Sequence, residues 1–286
     1  MTEPGADQRG GGLPKSVLAR GLLLLDAFGP DDTELTLTEL AARTGLPKAT
    51  TYRLIGELVG WGGVERARGG GYRLSMKLFE LGQNVPRRRD LREAALPYLE
   101  DLYEATHENI HLAVQDGPNT LFLEKVSGHR SMPIISRVGG RLPVHCTATG
   151  KVFLALGPPE YFRTVVAAGL ARRTPRTIVM PGLLRKDLGR AAERGYGVNH
   201  EESEVGVSAV AAPVYDRRRR AIAAISITGS AQRLDLERLA PAVRTAALAL
   251  SRELSSHTVL PLLSTESRRH AADELAAADR VQDQDR

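Results

Sequence analysis

Hydrophobic residues between positions 17 and 58 recur at the three- and four-residue spacing of amphipathic helices. Gly29 and Pro30 end the first of three such segments, and Gly45 supplies a turn after the second, because glycine reaches positive φ without steric cost. Pro47 suits the first turn of the helix that follows. The pattern therefore predicts three short helices, the third beginning near Lys48. The core-facing positions are Leu37, Leu40 and Ala41 in the second helix and Leu54, Ile55 and Leu58 in the third.

Two strand-like runs, 64–67 and 72–74, come after the third helix. Three consecutive glycines separate them, which favours a β-hairpin. Three helices followed by a hairpin is the order of a winged helix-turn-helix domain. In such a domain the recognition helix enters the major groove of DNA, so we expect this part of the chain to bind duplex DNA.

The residues predicted to contact DNA lie at the N-terminal end of the third helix and on the hairpin. Lys48 is placed for a phosphate, and Thr50 and Thr51 for base edges or phosphates. Arg53 suits bidentate pairing with guanine, and Arg68 suits the DNA backbone or the minor groove. The alternative for each side chain is simple solvation at the surface. The complete set is Lys48, Ala49, Thr50, Thr51, Tyr52, Arg53 and Arg68.

In the second half of the chain the spacing of apolar residues changes. They now alternate with less apolar residues, which predicts strands. Ile110, Leu112 and Val114 alternate with less apolar residues ahead of a turn at 116–119 and a second strand-like run, which indicates a β-hairpin. Further strands are predicted over 134–138, 208–215 and 221–228, and helices over 149–156, 183–195 and 236–254. The sequence thus predicts an α+β protein whose second half is a sheet with helices.

The same patterns predict the domain organisation. A polar, charged and Ala-rich stretch at the end of the chain has few large apolar residues to bury, and we expect disorder there. The expected parts are a disordered tail over 1–14, the winged helix-turn-helix domain over 15–75, a linker helix over 76–95, a second domain over 96–262 and a disordered tail over 263–286.

Composition adds modest constraints. The single cysteine, Cys146, excludes an intrachain disulfide framework and favours a cytoplasmic location. We expect neither a membrane span nor a secretory signal, because the apolar runs are short and the first residues are acidic and Gly-rich. A net charge of +5 suggests only weak affinity for polyanions. Basic residues near the helix-turn-helix are interspersed with acidic ones, so a basic face has to arise from geometry.

Two short motifs in the sequence match patterns that occur in catalytic sites. The segment from His107 to His111 matches H-E-x-x-H, which binds zinc when both histidines share one helical face. Here His107 is near a helix end and His111 is in a strand-like run, so we expect no metal site. Cys146 follows His145 on a segment predicted to be extended, where neighbouring side chains point to opposite faces. We therefore expect a small buried cysteine rather than a nucleophile, and no catalytic residues.

Three stretches of the chain resemble the IclR family of bacterial transcription regulators. They read LTELAARTGLPKATTYRLIGELVGWGGVER with a wing ending in YRLS, VGGRLPVHCTATGKVFLA at 138–155, and EESEVGVSAVAAPVYDRRRRAIAAISITGS at 201–230. Together they span about residues 15 to 255. The resemblance implies a winged helix-turn-helix domain, a connecting helix and a GAF-like mixed α/β effector-binding domain. It also implies a homodimer or a dimer of dimers whose affinity for operator DNA depends on a small metabolite.

The effector site is expected around the segment 142–150. If Thr147 or Ala148 begins a helix, its free backbone N–H groups would point at a ligand carboxylate. The resemblance adds polar contacts on later strands, and an apolar floor there would suit a small organic or aromatic acid. The hydroxyls on those strands could instead satisfy backbone groups. The expected effector-binding residues are Leu142, Ala148, Thr149, Gly150, Asn199, His200, Ala209, Ser226 and Thr228.

The chain departs from the family pattern at two places. Thr51 stands where the family more often has an apolar residue such as valine, and the turn 216–220 lacks the usual glycine and is strongly basic. Two alternatives to a ligand-responsive regulator remain open from the residues. One is a metallohydrolase that uses His107, Glu108 and His111, and the other is an architectural DNA-binding protein without a ligand. The favoured interpretation requires no cofactor and no membrane.

Overall fold

The structure is a computed structural model that describes residues 16–29, 32–85, 88–128 and 131–256. The chain divides into two compact units, one ending at Pro86 and the other beginning at Arg87. The expected tails, 1–14 and 263–286, lie outside the described residues. Among the helices that are described, none has both the length and the apolar character needed to cross a bilayer.

The first unit contains the predicted three helices and hairpin. Its elements are α1 (Val17–Asp26), α2 (Leu37–Thr44), α3 (Lys48–Trp61), β1 (Val64–Arg66), β2 (Tyr72–Leu74) and α4 (Met76–Gln83). A capping box between Thr36 and Glu39 starts α2, and Gly45 ends it at φ 69°, in the left-handed conformation that glycine adopts freely. Leu24, Leu40 and Ile55 are fully buried, one from each of the three helices. The winged helix-turn-helix prediction is confirmed.

The predicted linker helix over 76–95 is divided between two helices. α4 ends at Gln83, and α5 spans Arg88–Thr106. Asn84 closes α4, and its backbone N–H donates to the last turn. Val85 precedes Pro86, and a residue before proline is disfavoured in the helical conformation. The boundary between the two units falls in this interruption.

The second unit is built on a six-stranded antiparallel sheet. After α5 its elements are β3 (Asn109–Asp116), β4 (Asn119–Val126), β5 (Arg141–Pro143), a 3₁₀ turn (Val144–Cys146), α6 (Ala148–Leu156), α7 (Pro159–Ala167), α8 (Pro181–Arg194), β6 (Gly197–His200), β7 (Val207–Tyr215), β8 (Ala221–Ser230) and α9 (Leu236–Ser256). The strand order is β5-β4-β3-β8-β7-β6, with every neighbouring pair antiparallel. This is the predicted combination of a sheet with helices.

The two faces of this sheet have different roles. Ile110 and Ile225 pack with residues of α5 and α9 in the main core of the unit. On the other face Ala211 and Ala224 pack against α6. Because side chains alternate along a strand, residues next to the core positions, such as His111 and Ser226, belong to the α6 side. The polar residues of β3 and β8 are therefore brought to one face.

The strand predicted over 134–138 does not form. Ile135 donates its backbone N–H to the Glu204 carboxylate rather than to a neighbouring strand. Lys125 Nζ donates to the Ser136 carbonyl, so side chains hold this segment in place of a ladder of backbone hydrogen bonds. The prediction was wrong because β-branched residues also occur in irregular segments; here Ile135 and Val138 are both exposed. The short strand β6 and the helix α7 were not predicted.

Candidate DNA-binding face and effector pocket

The N-terminal turn of α3 is open to solvent. Its N-cap residue is Pro47, which makes no side-chain capping bond. The first N–H groups of a helix have no intrahelical acceptor, so this end carries free donors and a partial positive charge. Lys48, Ala49, Tyr52 and Arg53 are exposed around it, and Thr50 is half-buried. The predicted recognition residues thus share one accessible helix end.

Thr51 is the exception among the predicted DNA contacts. Its side chain is fully buried, and its hydroxyl donates to the Pro47 carbonyl at 3.2 Å. The residue faces the core beside Leu54 and Ile55, with which it shares the buried side of α3. In this structure it therefore offers nothing to DNA, and the prediction is corrected for this residue. A threonine can therefore replace the apolar residue that is more common in the family at this position, because its hydroxyl hydrogen-bonds within its own helix.

Of the three arginines on the wing, only Arg73 forms an ion pair among the described residues. Arg66 stacks over the Tyr72 ring at 5.4 Å, and Arg73 pairs with Glu65 at 2.6 Å across the hairpin. Arg68 is exposed in the turn. Within the described part of the chain, Arg68 forms no ion pair. The same holds for Lys48 and Arg53 on α3. These three exposed cations, together with Arg66, leave positive charge on α3 and the wing available to a polyanion.

A pocket lies in the second unit between the sheet, the start of α6 and the segment 134–136. Its lining residues are Phe122, Ile134, Ile135, Ser136, Leu142, Thr147, Ala148, Thr149, Asn199, Ser203, Glu204, Val207, Ala209, Ser226 and Thr228. Seven of the nine predicted effector residues line it, all except Gly150 and His200. The described lining includes no lysine or arginine.

The start of α6 is capped and buried, unlike that of α3. Thr147 is the N-cap, and its Oγ1 accepts the Gly150 N–H at 3.2 Å. The N–H groups of Ala148 and Thr149 have no acceptor within the helix. Both residues are buried and both line the pocket. The helix end with these two donors therefore meets the pocket.

Gly150 and His200 do not line the pocket. A Cβ on Gly150 would lie 2.3 Å from the Val144 backbone, so glycine is required there for close packing of α6 on the preceding 3₁₀ turn. Its N–H is already taken by Thr147. His200 is exposed at the end of β6, where strand alternation turns it away from Asn199. The structure therefore places these two residues away from the pocket, and the other seven stay predicted ligand contacts.

Sequence reasoning missed a buried ionic cluster behind the pocket. Lys151 is 1% exposed, and its Nζ lies 2.5 Å from Glu202 and 2.7 Å from Asp187. Glu202 also accepts the His200 N–H, and burial raises the pKa of its carboxyl. The cluster joins α6, α8 and the turn after β6. The sequence feature that could have revealed this cluster is a lysine within a predicted helix that is otherwise apolar.

The polar residue Asn199 is linked to the same turn. Its Oδ1 accepts the Glu202 N–H at 2.7 Å, and its Nδ2 donates to the Ser203 hydroxyl at 2.9 Å. Ser203 and Glu204 therefore join the pocket through a turn that has no periodic sequence pattern. This is why the predicted set contained Asn199 and omitted its two neighbours.

The residues that imitate catalytic sites are used structurally. α5 ends at Thr106, His107 has φ 55° and His111 lies on β3, so the two histidines do not share a helical face, as predicted. His111 is buried and lies 2.9 Å from the Ser136 hydroxyl. Burial raises the pKa of Cys146 to about 12, which disfavours a thiolate. Cys146 is buried as expected, although its segment is a 3₁₀ turn and not a strand.

Comparison with known proteins gives a consistent result over both units. A family model described as "IclR helix-turn-helix domain" matches residues 17–68, and one described as "Bacterial transcriptional regulator IclR C-terminal" matches residues 83–252. The transcriptional regulator XynR of Escherichia coli is 37% identical over 240 residues, which cover 82% of this chain and 95% of XynR. The repressor IclR of the same species is 32% identical over 226 residues, 78% of this chain and 82% of IclR.

Solved structures with the same fold include two full-length matches. An IclR homologue from Microbacterium hydrocarbonoxydans, crystallised with 4-hydroxybenzoate, has a TM-score of 0.78 and 33% identity over 84% of this chain and 99% of its own. Thermotoga maritima IclR has a TM-score of 0.69 and 30% identity, covering 83% of this chain and 98% of its own.

Proposed function

This chain belongs to the IclR family of bacterial transcription regulators, and we propose that a small organic or aromatic acid controls its affinity for operator DNA. It binds DNA through its helix-turn-helix and a small effector through its C-terminal unit. Members of this family are regulators and not enzymes, so the metallohydrolase alternative is wrong. A cytoplasmic location is part of the proposal.

We propose that the open end of α3 forms the interface with operator DNA. The observation that carries this assignment is an exposed helix N-terminus without a side-chain cap, flanked by Lys48 and Arg53. Lys48 would contact a phosphate and Arg53 a guanine, with Thr50 and Tyr52 beside them. Arg68 on the wing would contact the backbone or minor groove. The domain boundaries at 75, 95 and 262 also stay predictions.

Three features of the pocket support an acidic effector. The N–H groups of Ala148 and Thr149 suit a carboxylate, because helix N-termini bind anions with backbone donors. Ser226 and Thr228 add hydroxyls, and Leu142 and Ala209 supply apolar contact. A homologue of the same fold is known in complex with 4-hydroxybenzoate, which supports an aromatic acid.

A homodimer is proposed from exposed apolar residues in the first unit, with a dimer of dimers as the larger form. Val17, Leu18 and Leu22 on α1 are at least half exposed, as are Met76 and Phe79 on α4. Exposed apolar clusters of this kind mark interaction surfaces. A symmetric dimer would also place two recognition helices on two half-sites. Sedimentation equilibrium of the purified chain tests this assignment, and a monomer at micromolar concentration would contradict it.

One experiment tests the proposed function directly. Purified full-length protein selects duplexes from a randomised pool, and the affinity for the enriched sequence is then measured. We expect an enriched site with two related halves and an affinity that falls steeply with salt concentration. In parallel, thermal shifts are recorded with benzoate, 4-hydroxybenzoate and short aliphatic acids, because a ligand that binds the folded state raises the melting temperature. No enriched sequence would contradict the DNA assignment, and no thermal shift would contradict the effector class.

A further inference from the structure

We propose that Ser136, positioned by His111, binds an uncharged hydroxyl group of the effector, so that the pocket selects a hydroxylated monocarboxylic acid. The inference rests on the proposed function, in which the start of α6 binds the carboxylate. Ser136 lies on a different element, the irregular segment that the strand prediction missed. It therefore supplies a second polar contact point, separate from the carboxylate site.

His111 lies directly behind the pocket wall. It pairs in register with Ser226 of β8, and residues directly opposite in a ladder share one face of the sheet. Its ring packs against Phe122 with 5.2 Å between centroids. Ser226 and Phe122 both line the pocket. The imidazole itself is 1% exposed, so it acts through the residues in front of it.

The contact between His111 and Ser136 orients a hydroxyl at the pocket wall. Nε2 of His111 is 2.9 Å from Oγ of Ser136. Burial lowers the pKa of His111 to about 3, so the ring is neutral and has one donor and one acceptor nitrogen. Among the described residues its Nδ1 has no hydrogen-bond partner. Whichever tautomer is present, Ser136 keeps hydrogen-bonding capacity toward the pocket that suits a hydroxyl.

The backbone around Ser136 is fixed from several directions. Asn109 Nδ2 donates to the Met132 carbonyl at 2.9 Å, and Lys125 Nζ donates to the Ser136 carbonyl at 3.2 Å. Glu204 accepts the Ile135 N–H at 3.1 Å. Ser136 is 8% exposed in this arrangement. Its hydroxyl is thus held in place before a ligand binds, which favours discrimination between ligands.

Charge at this wall disfavours a second carboxylate. Glu204 lines the pocket next to Ile135 and would repel another anion. The cation nearby, Lys125, donates to the Ser136 carbonyl, has its charge offset by the Glu204 carboxylate, and does not line the pocket. A neutral hydroxyl is therefore accepted where a carboxylate is rejected.

The test compares three ligands by calorimetry on the full-length protein: benzoate, 4-hydroxybenzoate and terephthalate. They share one carboxylate on a ring and differ in the opposite substituent. We expect 4-hydroxybenzoate to bind on the order of tenfold more tightly than benzoate, as one added hydrogen bond allows. Terephthalate, with its second carboxylate, should bind more weakly than benzoate.

Three variants separate hydroxyl binding from general stability. Ser136→Ala should remove most of the preference for 4-hydroxybenzoate, so that the ratio of its affinity to that of benzoate falls to about one. Ser136→Thr keeps a hydroxyl and should restore the preference. His111→Phe should reduce the preference because Ser136 loses its partner. If that variant does not fold, the two Ser136 variants decide.

The outcomes distinguish this inference from the proposed function. Equal binding of all three acids by the unmodified protein overturns the inference and leaves the carboxylate site intact. A tenfold preference that persists in Ser136→Ala also overturns it. Failure of all three acids to bind overturns the proposed effector class, and the inference with it.

Discussion

The first turns of α3 and α6 both offer backbone donors to an anion, but their lysines have opposite environments. Lys48 on α3 is exposed and has no ion-pair partner among the described residues. Lys151 on α6 is buried between Glu202 and Asp187. At the start of α3 the unpaired charge of Lys48 therefore adds to the helix dipole. In α6 the charge of Lys151 is neutralised by the two carboxylates that surround it. The comparison indicates that α3 suits a polyanion and α6 a single carboxylate recognised by short-range hydrogen bonds.

Loss of the buried lysine of α6 should destabilise the second unit more than any other variant considered below. Lys151→Ala leaves Glu202, whose side chain is 4% exposed, without its partner. Removing one member of a buried ion pair typically costs about 3–5 kcal/mol. Urea unfolding of the second unit should show this loss of free energy. Lys186→Ala, at an exposed position of α8, is the control and should change stability by less than about 0.5 kcal/mol.

A double variant tests whether the stability lost in Lys151→Ala comes from leaving a buried carboxylate without its partner. In Lys151→Met combined with Glu202→Gln the cluster loses its cation and its more deeply buried carboxylate, and only Asp187, whose side chain is 17% exposed, keeps a charge. This double variant should recover part of the stability lost in Lys151→Ala, because the carboxylate of Glu202 is no longer left buried and unpaired. Equal losses in the single and double variants would contradict the account of the cluster.

Glycines in the two helices provide the next test. A Cβ at Gly150 would lie 2.3 Å from the Val144 backbone, whereas one at Gly60 of α3 meets nothing within 4 Å. Gly150→Ala should therefore destabilise the second unit by about 1–3 kcal/mol. Gly60→Ala should stabilise the first unit by up to about 1 kcal/mol. Thermal unfolding measures both, and an innocuous Gly150→Ala would mean that α6 does not pack on the 3₁₀ turn as described.

Arg53→Ala tests the α3 side. Losing a bidentate contact to guanine should cost about 1–3 kcal/mol of binding to the selected duplex, with a smaller effect on unrelated duplexes. Arg190→Ala removes the same charge from an exposed position of α8 and is the matched control. If both variants lose affinity equally for every duplex, Arg53 contributes charge only and reads no base.

These two sites differed in how far the sequence predicted them. For α3 the sequence predicted which residues are exposed, because helical periodicity orients residues that are close in sequence, and their contact with DNA stays a prediction. The prediction of exposure failed at Thr51, where a polar side chain is buried by bonding to the Pro47 carbonyl. In the pocket the sequence located α6 and Ser226, but Ser136 and Glu204 were missed. They reach the pocket through irregular segments whose position depends on tertiary contacts such as Glu204 to Ile135.

The dependence of binding on salt concentration should differ between α3 and the pocket. The affinity for the selected duplex should fall steeply with salt, and Lys48→Ala should reduce the slope of log K against log salt by about one. Binding of an acid to the pocket should change little over the same salt range, because neutral N–H and hydroxyl groups make the contacts. A salt slope for the acid similar to that for DNA would indicate a free cation at the effector site.

We propose that occupancy of the α6 pocket changes DNA binding by α3. The most direct measurement is the affinity for the selected duplex with and without the acid that gives the largest thermal shift. We predict a change of at least about fivefold in the unmodified protein. Ser226→Leu, which fills the pocket wall, should abolish both the thermal shift and the change in DNA affinity. An acid that binds in the pocket and leaves the duplex affinity unchanged would contradict the account.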